Sequence, residues 1–193
     1  MSSYIPLFRR KREGLTDYRV RKKAVMSREV LAVIRKTNKN VTIQFVKPEI
    51  NGDKVISSFH SSALRKMGWL GSLKSTPACY LLGLYAGKKA QEVGIRRAVV
   101  YTGLLPYVRG SRISALVKGL VDSGLDIPSN SETFPEEERI TGKFIADYAA
   151  KLIKENKEKY NKFFSSLLKQ GFKPEEYPAY FEITRKIIMG EKR

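Results

Sequence analysis

The stretch Val30–His60, "VLAVIRKTNKNVTIQFVKPEINGDKVISSFH", decides the fold. From Val30 to Ile34 the residues are apolar and partly β-branched, and in "NVTIQFV" Val41, Ile43 and Phe45 alternate with Thr42 and Gln44, the period of a strand with one buried face. Between these runs, "KTNKN" has hairpin-turn composition. Asn51-Gly52-Asp53 gives a second turn signal, and a third strand follows from Lys54 to Phe59. Three sequential strands joined by short turns predict an antiparallel meander.

C-terminal to the meander the grammar becomes helical. Thr76 reads as an N-cap with Pro77 at the first helical position, followed by "ACYLLGLYAGKKAQEV" and then Gly94, where a left-handed terminal residue belongs. Gly83 and Gly87 have small-xxx-small spacing; with Lys88 and Lys89 next, they read as close packing of this helix onto a sheet rather than as a membrane contact. "RAVVY" predicts a fourth, buried strand. After "TGLLPYVRG", Ser111 caps a helix whose Ile113, Leu116, Val117, Leu120 and Val121 form one apolar stripe ending at Gly124. The fold class expected is α/β (α+β): a mixed sheet in β-β-β-α-β-α order layered with helices.

"DIPSNSETFP" reads as a polar linker into an all-helical extension. Ile140, Phe144, Ile145, Tyr148, Leu152 and Ile153 suggest one stripe; Tyr160, Phe163, Phe164, Leu167 and Leu168 suggest another, stopped by Gly171; "PEEYPAYFEITRKII" begins a third helix. The organisation expected is a basic arm over residues 1–27, a core over 28–128 and a helical extension over 129–193. The arm lacks a clean apolar period and is expected to be extended, with room for a short helix from Asp17 to Met26.

Charge indicates the partner. Of 193 residues, 37 are Lys or Arg and 19 are Asp or Glu, a formal net charge of +18 that exceeds what solubility requires. Residues 1–74 hold 17 basic and 5 acidic groups, net +12, so the positive field is concentrated at the front, as in an arm that binds nucleic acid. Arg9, Arg10, Lys11, Arg12, Arg19, Arg21, Lys22, Lys23 and Arg28 lie within twenty residues. The prevalence of Arg favours bidentate phosphate contacts. Phe8 and Tyr18 suit base stacking in irregular RNA as well as they suit pinning the arm to the core.

Further sites are weaker. "YVRGSR" places Arg109 and Arg112 around Gly110 and Ser111 at a helix start, where a phosphate cradle and an ordinary N-cap fit equally. Lys74 is a candidate phosphate contact, and Trp69 fits a core or loop anchor better than a stacking platform. Cys79 and His60 are the only cysteine and histidine, which removes disulfides, Cys/His zinc sites and His-dependent nucleophile pairs. No metal, cofactor or small-molecule substrate is expected. Neither a secretory signal nor a membrane span is visible, and Glu13, Asp17 and Glu29 argue against an acid-poor transit peptide; the chain reads as soluble and cytoplasmic, with no membrane partner.

The strand and helix order is shared with ribonuclease H-like nucleases, but Val30–Lys36 and "RAVVY" lack the carboxylates that two-metal chemistry needs. Glu136, Glu137 and Glu138 open a helix, where acids complement its dipole. An RNA-processing or RNA-modifying enzyme with a basic arm remains the alternative to a non-catalytic binder.

The segments "FRRKREGLTDYRVRKK", "GWLGSLKSTPACYLLGLYAGKKA", "GSRISALVKGLVDSGLDIP" and "FPEEERITGKFIADYA" together resemble the archaeal and eukaryotic branch of the universal ribosomal protein L-eighteen family, called L-five in the eukaryotic cytosol. The likeness runs through the whole chain, in the family's order, and the short extension looks archaeal. It implies a structural, non-enzymatic constituent of the large ribosomal subunit that binds 5S rRNA in the central protuberance, with large-subunit rRNA and neighbouring ribosomal proteins as further partners. By that resemblance Arg9 to Arg12, Tyr18, Arg19 and Arg21 to Lys23 form the RNA-binding arm, with Arg109, Ser111 and Arg112 secondary. Ser129, where many archaeal members carry His, and Tyr101-Thr102, where a more acidic or aliphatic pair is common, depart from the pattern.

Overall fold

The computed structural model describes residues 6–190; positions 1–5 of the arm and 191–193 of the extension lie outside the described residues. In chain order the elements are α1 (Arg9–Arg12), α2 (Tyr18–Ser27), β1 (Leu31–Lys36), β2 (Val41–Lys47), β3 (Lys54–His60), α3 (Ala63–Lys66), α4 (Thr76–Glu92), β4 (Val99–Tyr101), α5 (Arg112–Asp122), α6 (Glu137–Thr141), α7 (Lys143–Glu155), α8 (Lys157–Phe163), α9 (Ser165–Leu168) and α10 (Tyr177–Met189). The sheet order is β3-β2-β1-β4, with the meander antiparallel and β4 parallel to β1. The mixed sheet layered with helices is therefore as the sequence predicts.

Register follows the apolar pattern. Ile34 pairs with Ile43 and Ala32 with Phe45, and these side chains join the main core under the helices. Leu31, Val33 and Val46 point to the opposite face, where Ala24 of α2 covers them. Strand β4 differs from expectation: all three of its residues are half-buried, because β4 is an edge strand paired only with β1.

Helix α4 is the centre of the molecule, with every residue from Pro77 to Leu84 buried. More than two turns buried around the full circumference require neighbours on every side. Its cap is Ser75, not Thr76: Ser75 is extended (φ −66°, ψ 160°) and its hydroxyl accepts from the Ala78 N–H, so Pro77 stands second in the helix. Gly83 and Gly87 also act differently from expectation. Their missing side chains admit α5 rather than the sheet: a Cβ on Gly83 would meet the Leu116 carbonyl, one on Gly87 the Ser123 hydroxyl, and, reciprocally, one on Gly119 the Tyr80 carbonyl. At Gly83 and Gly119 the contact is with backbone and cannot relax by rotamer change. Gly83→Ala is therefore expected to destabilise by about 3 kcal/mol despite a helix-propensity gain of about 1 kcal/mol. Calorimetry should show Tm lowered by about 6–12 °C; an unchanged Tm would mean that the two helices slide apart freely.

The extension is continuous with this core. Ile140, Phe172, Tyr177, Phe181 and Ile188 belong to the same buried cluster as Ile43 and Leu116. Helix α10 packs on α4, α6 and α7, the Tyr80 and Phe181 rings lie 5.7 Å apart, and Lys88 Nζ donates to the Met189 carbonyl (2.7 Å) at the end of α10. Trp69 is fully buried as a loop anchor, edge-on to Tyr177 (5.4 Å) and Phe172 (6.3 Å). Tyr177 in turn donates to Ser75 Oγ (3.0 Å), tying α10 to the cap of α4.

The apolar stripes expected in the extension are its buried faces only in part: Ile140, Leu152 and Tyr160 are buried and Ile145, Phe164, Leu167 and Leu168 pack against buried residues, whereas the other members are more exposed. Gly142 takes φ 83°, which ends α6 and restarts the chain as α7, so Ile140 and Phe144 stand on different helices. The face that α7 buries is Ala146, Ala149 and Leu152, whereas Phe144 and Tyr148 are about half exposed (48% and 49%). In the second stripe Tyr160 is buried and Phe163 is exposed.

Candidate nucleic-acid interface

In the described part of the arm the short helix expected from Asp17 to Met26 is present as α2, and Arg9–Arg12 form a further helical turn where extended chain was expected. Asp17 Oδ1 accepts from the Arg19 N–H (2.8 Å) and starts α2, and Arg28, the only non-glycine with positive φ among the described residues (56°), ends it. An Asp cap supplies the local start signal that a run of cations cannot. Ala24 docks α2 on the sheet. Arg21 reinforces that docking: its guanidinium pairs with Asp53 and donates to the Glu49 carbonyl (3.4 Å), both in the β2–β3 loop. Of the cations expected on RNA, Arg21 is thus committed to the fold.

The others face outward. Helix α1 buries none of its residues, and Arg9, Arg10, Lys11, Arg12, Arg19, Lys22, Lys23 and Arg28 are exposed. Arg9 meets Glu13 at 3.6 Å and Arg10 donates to Thr16 Oγ1 (2.9 Å), whereas no described carboxylate lies within 4.0 Å of Lys11, Arg12, Arg19, Lys22, Lys23 or Arg28. Phe8 and Tyr18 pack on each other (5.3 Å, rings tilted by 45°), which folds α1 back towards α2. Two short helices thereby present one dense cationic surface, a geometry suited to phosphates on neighbouring strands of a folded polyanion.

A second basic site forms where α4 and α5 begin. A cleft of about 450 Å³ is lined by Lys36 from the end of β1, Thr76 from α4, Ser111 and Arg112 from α5, and Arg139 from α6. Ser111 Oγ accepts from the Ser114 N–H (3.3 Å), so Ser111 is the N-cap that its position in the sequence suggests. The first backbone N–H groups of a helix lack intrahelical acceptors, and Arg112 and Ile113, which hold those positions, both line the cleft. The Arg139 guanidinium lies 3.5 Å from where a Gly110 Cβ would stand. Arg109 is exposed but outside the lining, and Lys74 lines a different groove. Lys36 and Arg139 escaped the sequence reading; one ends a strand and the other follows three glutamates, so only the tertiary fold brings them to Arg112.

The single cysteine and the single histidine lie on different elements, the one buried and the other exposed. Burial pushes the Cys79 thiol up to about 12, only partly offset by the charges of Arg112 and Lys36, so it stays protonated near neutral pH. His60 is exposed at the end of β3, its Nδ1 2.7 Å from Ser62 Oγ. No group of three His, Cys, Asp or Glu side chains is placed to hold a metal ion, and no helix is long and apolar enough to cross a membrane, among the described residues.

Comparison with known proteins agrees with the basic surface. The family described as "Ribosomal large subunit proteins 60S L5, and 50S L18" matches residues 2–96. The chain is 42% identical over 184 residues to the large ribosomal subunit protein uL18 of Methanothermobacter thermautotrophicus, an alignment spanning 95% of this chain and 94% of that protein.

Proposed function

The chain belongs to the archaeal form of the family of large-subunit ribosomal proteins that includes uL18, and from that premise we propose that it binds 5S rRNA and anchors it in the central protuberance. Membership makes it a structural constituent of the cytoplasmic ribosome, not an enzyme, with rRNA and other ribosomal proteins as its partners. The finer reading assigns residues 1–27 as the RNA-binding arm, 28–128 as the core and 129–193 as the extension. Arg9–Arg12, Arg19, Lys22 and Lys23 of the arm, and Arg28 directly after it, neutralise phosphates, Tyr18 holds α1 in place through Phe8, and Arg21 positions α2.

The observation that carries this reading is the set of outward cations without carboxylate partners on α1 and α2. A surface evolved only for solubility mixes both signs. The α4–α5 cleft, with Ser111, Arg112, Lys36 and Arg139, serves as a secondary phosphate contact. Arg109 and Lys74 contribute at its margins and beyond it.

The test is a competition titration of the full chain, at fixed salt, between 5S rRNA and an unrelated folded RNA of equal length. Preference for 5S rRNA is expected; equal affinity overturns the assignment. In the same assay Arg112→Ala should weaken binding by about fivefold, the equivalent of about 1 kcal/mol for one screened charge-assisted contact. A loss as large as that caused by removing the arm's charges would transfer the primary site to the cleft.

A further inference from the structure

A groove of about 1140 Å³ lies apart from the cationic helices, with no described residue of the arm in its lining. Lys39 of the β1–β2 turn, Arg65 of α3 and Lys74 of the loop before α4 supply cations to its lining; Phe144 and Tyr148 of α7 and Phe163 of α8 supply aromatic rings. These rings are 48%, 49% and 67% exposed, although the helices that carry them have other faces buried. No residue lining the groove is acidic, and no described carboxylate lies within 4.0 Å of the three cations.

We propose that this groove takes a short single-stranded segment of large-subunit rRNA, with unpaired bases stacked on Phe144, Tyr148 and Phe163 and phosphates held by Lys39, Arg65 and Lys74. Unpaired nucleotides present a π-face and an anionic backbone side by side, and the groove offers rings and cations in the same arrangement. Arginine and lysine beside rings add cation–π attraction to a stacked base. The volume exceeds the roughly 300–1,000 Å³ of sites for single small ligands, which suits more than one nucleotide. A second copy of the chain is disfavoured, since each carries +18 and would bring cations against cations. An apolar peptide would cover the rings and leave the three cations without counter-charge. The assignment rests on the chain's place in the large subunit, and not on the arm's choice of 5S rRNA.

The test uses the full chain and a single-stranded octa-adenylate carrying one central 2-aminopurine, whose fluorescence falls when it stacks on an aromatic ring. The parent protein is expected to quench it. The double substitution Tyr148→Ala, Phe163→Ala should abolish the quench and weaken binding by about tenfold or more. Tyr148→Phe should preserve both, and because these rings are half exposed or more the variants should melt as the parent does. The same doubly substituted chain should keep the parent's affinity for 5S rRNA in filter binding, which separates failure here from failure of the arm. Undiminished quenching by the doubly substituted chain would overturn the proposal. So would variants that bind the probe normally yet enter large subunits poorly, since that pattern assigns the groove to a neighbouring protein.

Discussion

Replacing Arg9, Arg10, Lys11 and Arg12 by glutamine is expected to lower the affinity for 5S rRNA by about a thousandfold while leaving the melting temperature unchanged. All four side chains are exposed and α1 buries none of its residues, so the fold does not depend on them. Only an exposed Arg9–Glu13 pair and one hydrogen bond to Thr16 are lost. At about 1 kcal/mol for each screened phosphate contact, four contacts amount to about 4 kcal/mol, or three orders of magnitude. Filter binding with a parallel thermal melt measures both quantities. Full affinity in the substituted chain would move the interface elsewhere. Truncating residues 1–27 outright is the less clean experiment, because it also strips Ala24 from Leu31, Val33 and Val46 and removes the Arg21–Asp53 pair.

Trp69→Ala is expected to produce the largest loss of stability, about 3–5 kcal/mol, with Tm falling by about 6–20 °C. Trp69 is fully buried and is the common neighbour of Phe172 and Tyr177, the two rings through which the extension meets the loop ahead of α4. The cavity would sit at the junction of core and extension, and the Tyr177 hydroxyl, whose own titration burial pushes up to about 12, would lose the packing that holds it on Ser75. Calorimetry should register one lowered transition, since both parts share a single apolar cluster. A shift below about 2 °C would show that the extension is held by other contacts.

The parts of this structure that were readable from sequence are those built by local rules. Alternation in Val41, Ile43 and Phe45 indicated the buried face of β2, and the stripe Ile113, Leu116, Val117, Leu120 and Val121 indicated that of α5, with only Val121 partly exposed. What escaped depends on partners distant in the chain. Large apolar residues in α7 located its buried face only through Leu152, because the other buried contacts are made by Ala146 and Ala149, small side chains that let helices approach and that weigh little in a hydrophobic count. Gly142 added a break in phase that no periodicity across it could survive. The glycines of α4 were correctly read as packing residues, yet whether a sheet or α5 lay against them was decided by the return of the chain after β4.

The candidate interface divides in the same way. The front's charge density is a property of composition, and the eight outward cations from Arg9 to Arg28 follow from it. Arg21 could not be told from its neighbours, because its commitment to Asp53 is a contact across 32 positions. The basic cleft was half visible: Ser111 and Arg112 belong to a recognisable cap, while Lys36 and Arg139 arrive from β1 and α6.

The central claim is that the front of the chain works by displacing counterions from folded RNA, and the salt dependence of 5S rRNA binding tests it most directly. If roughly six to eight phosphates are neutralised, log K plotted against log salt should fall with a slope of roughly −4 to −7. A near-flat plot would contradict it, since no count of arm cations on phosphates is compatible with salt-independent affinity.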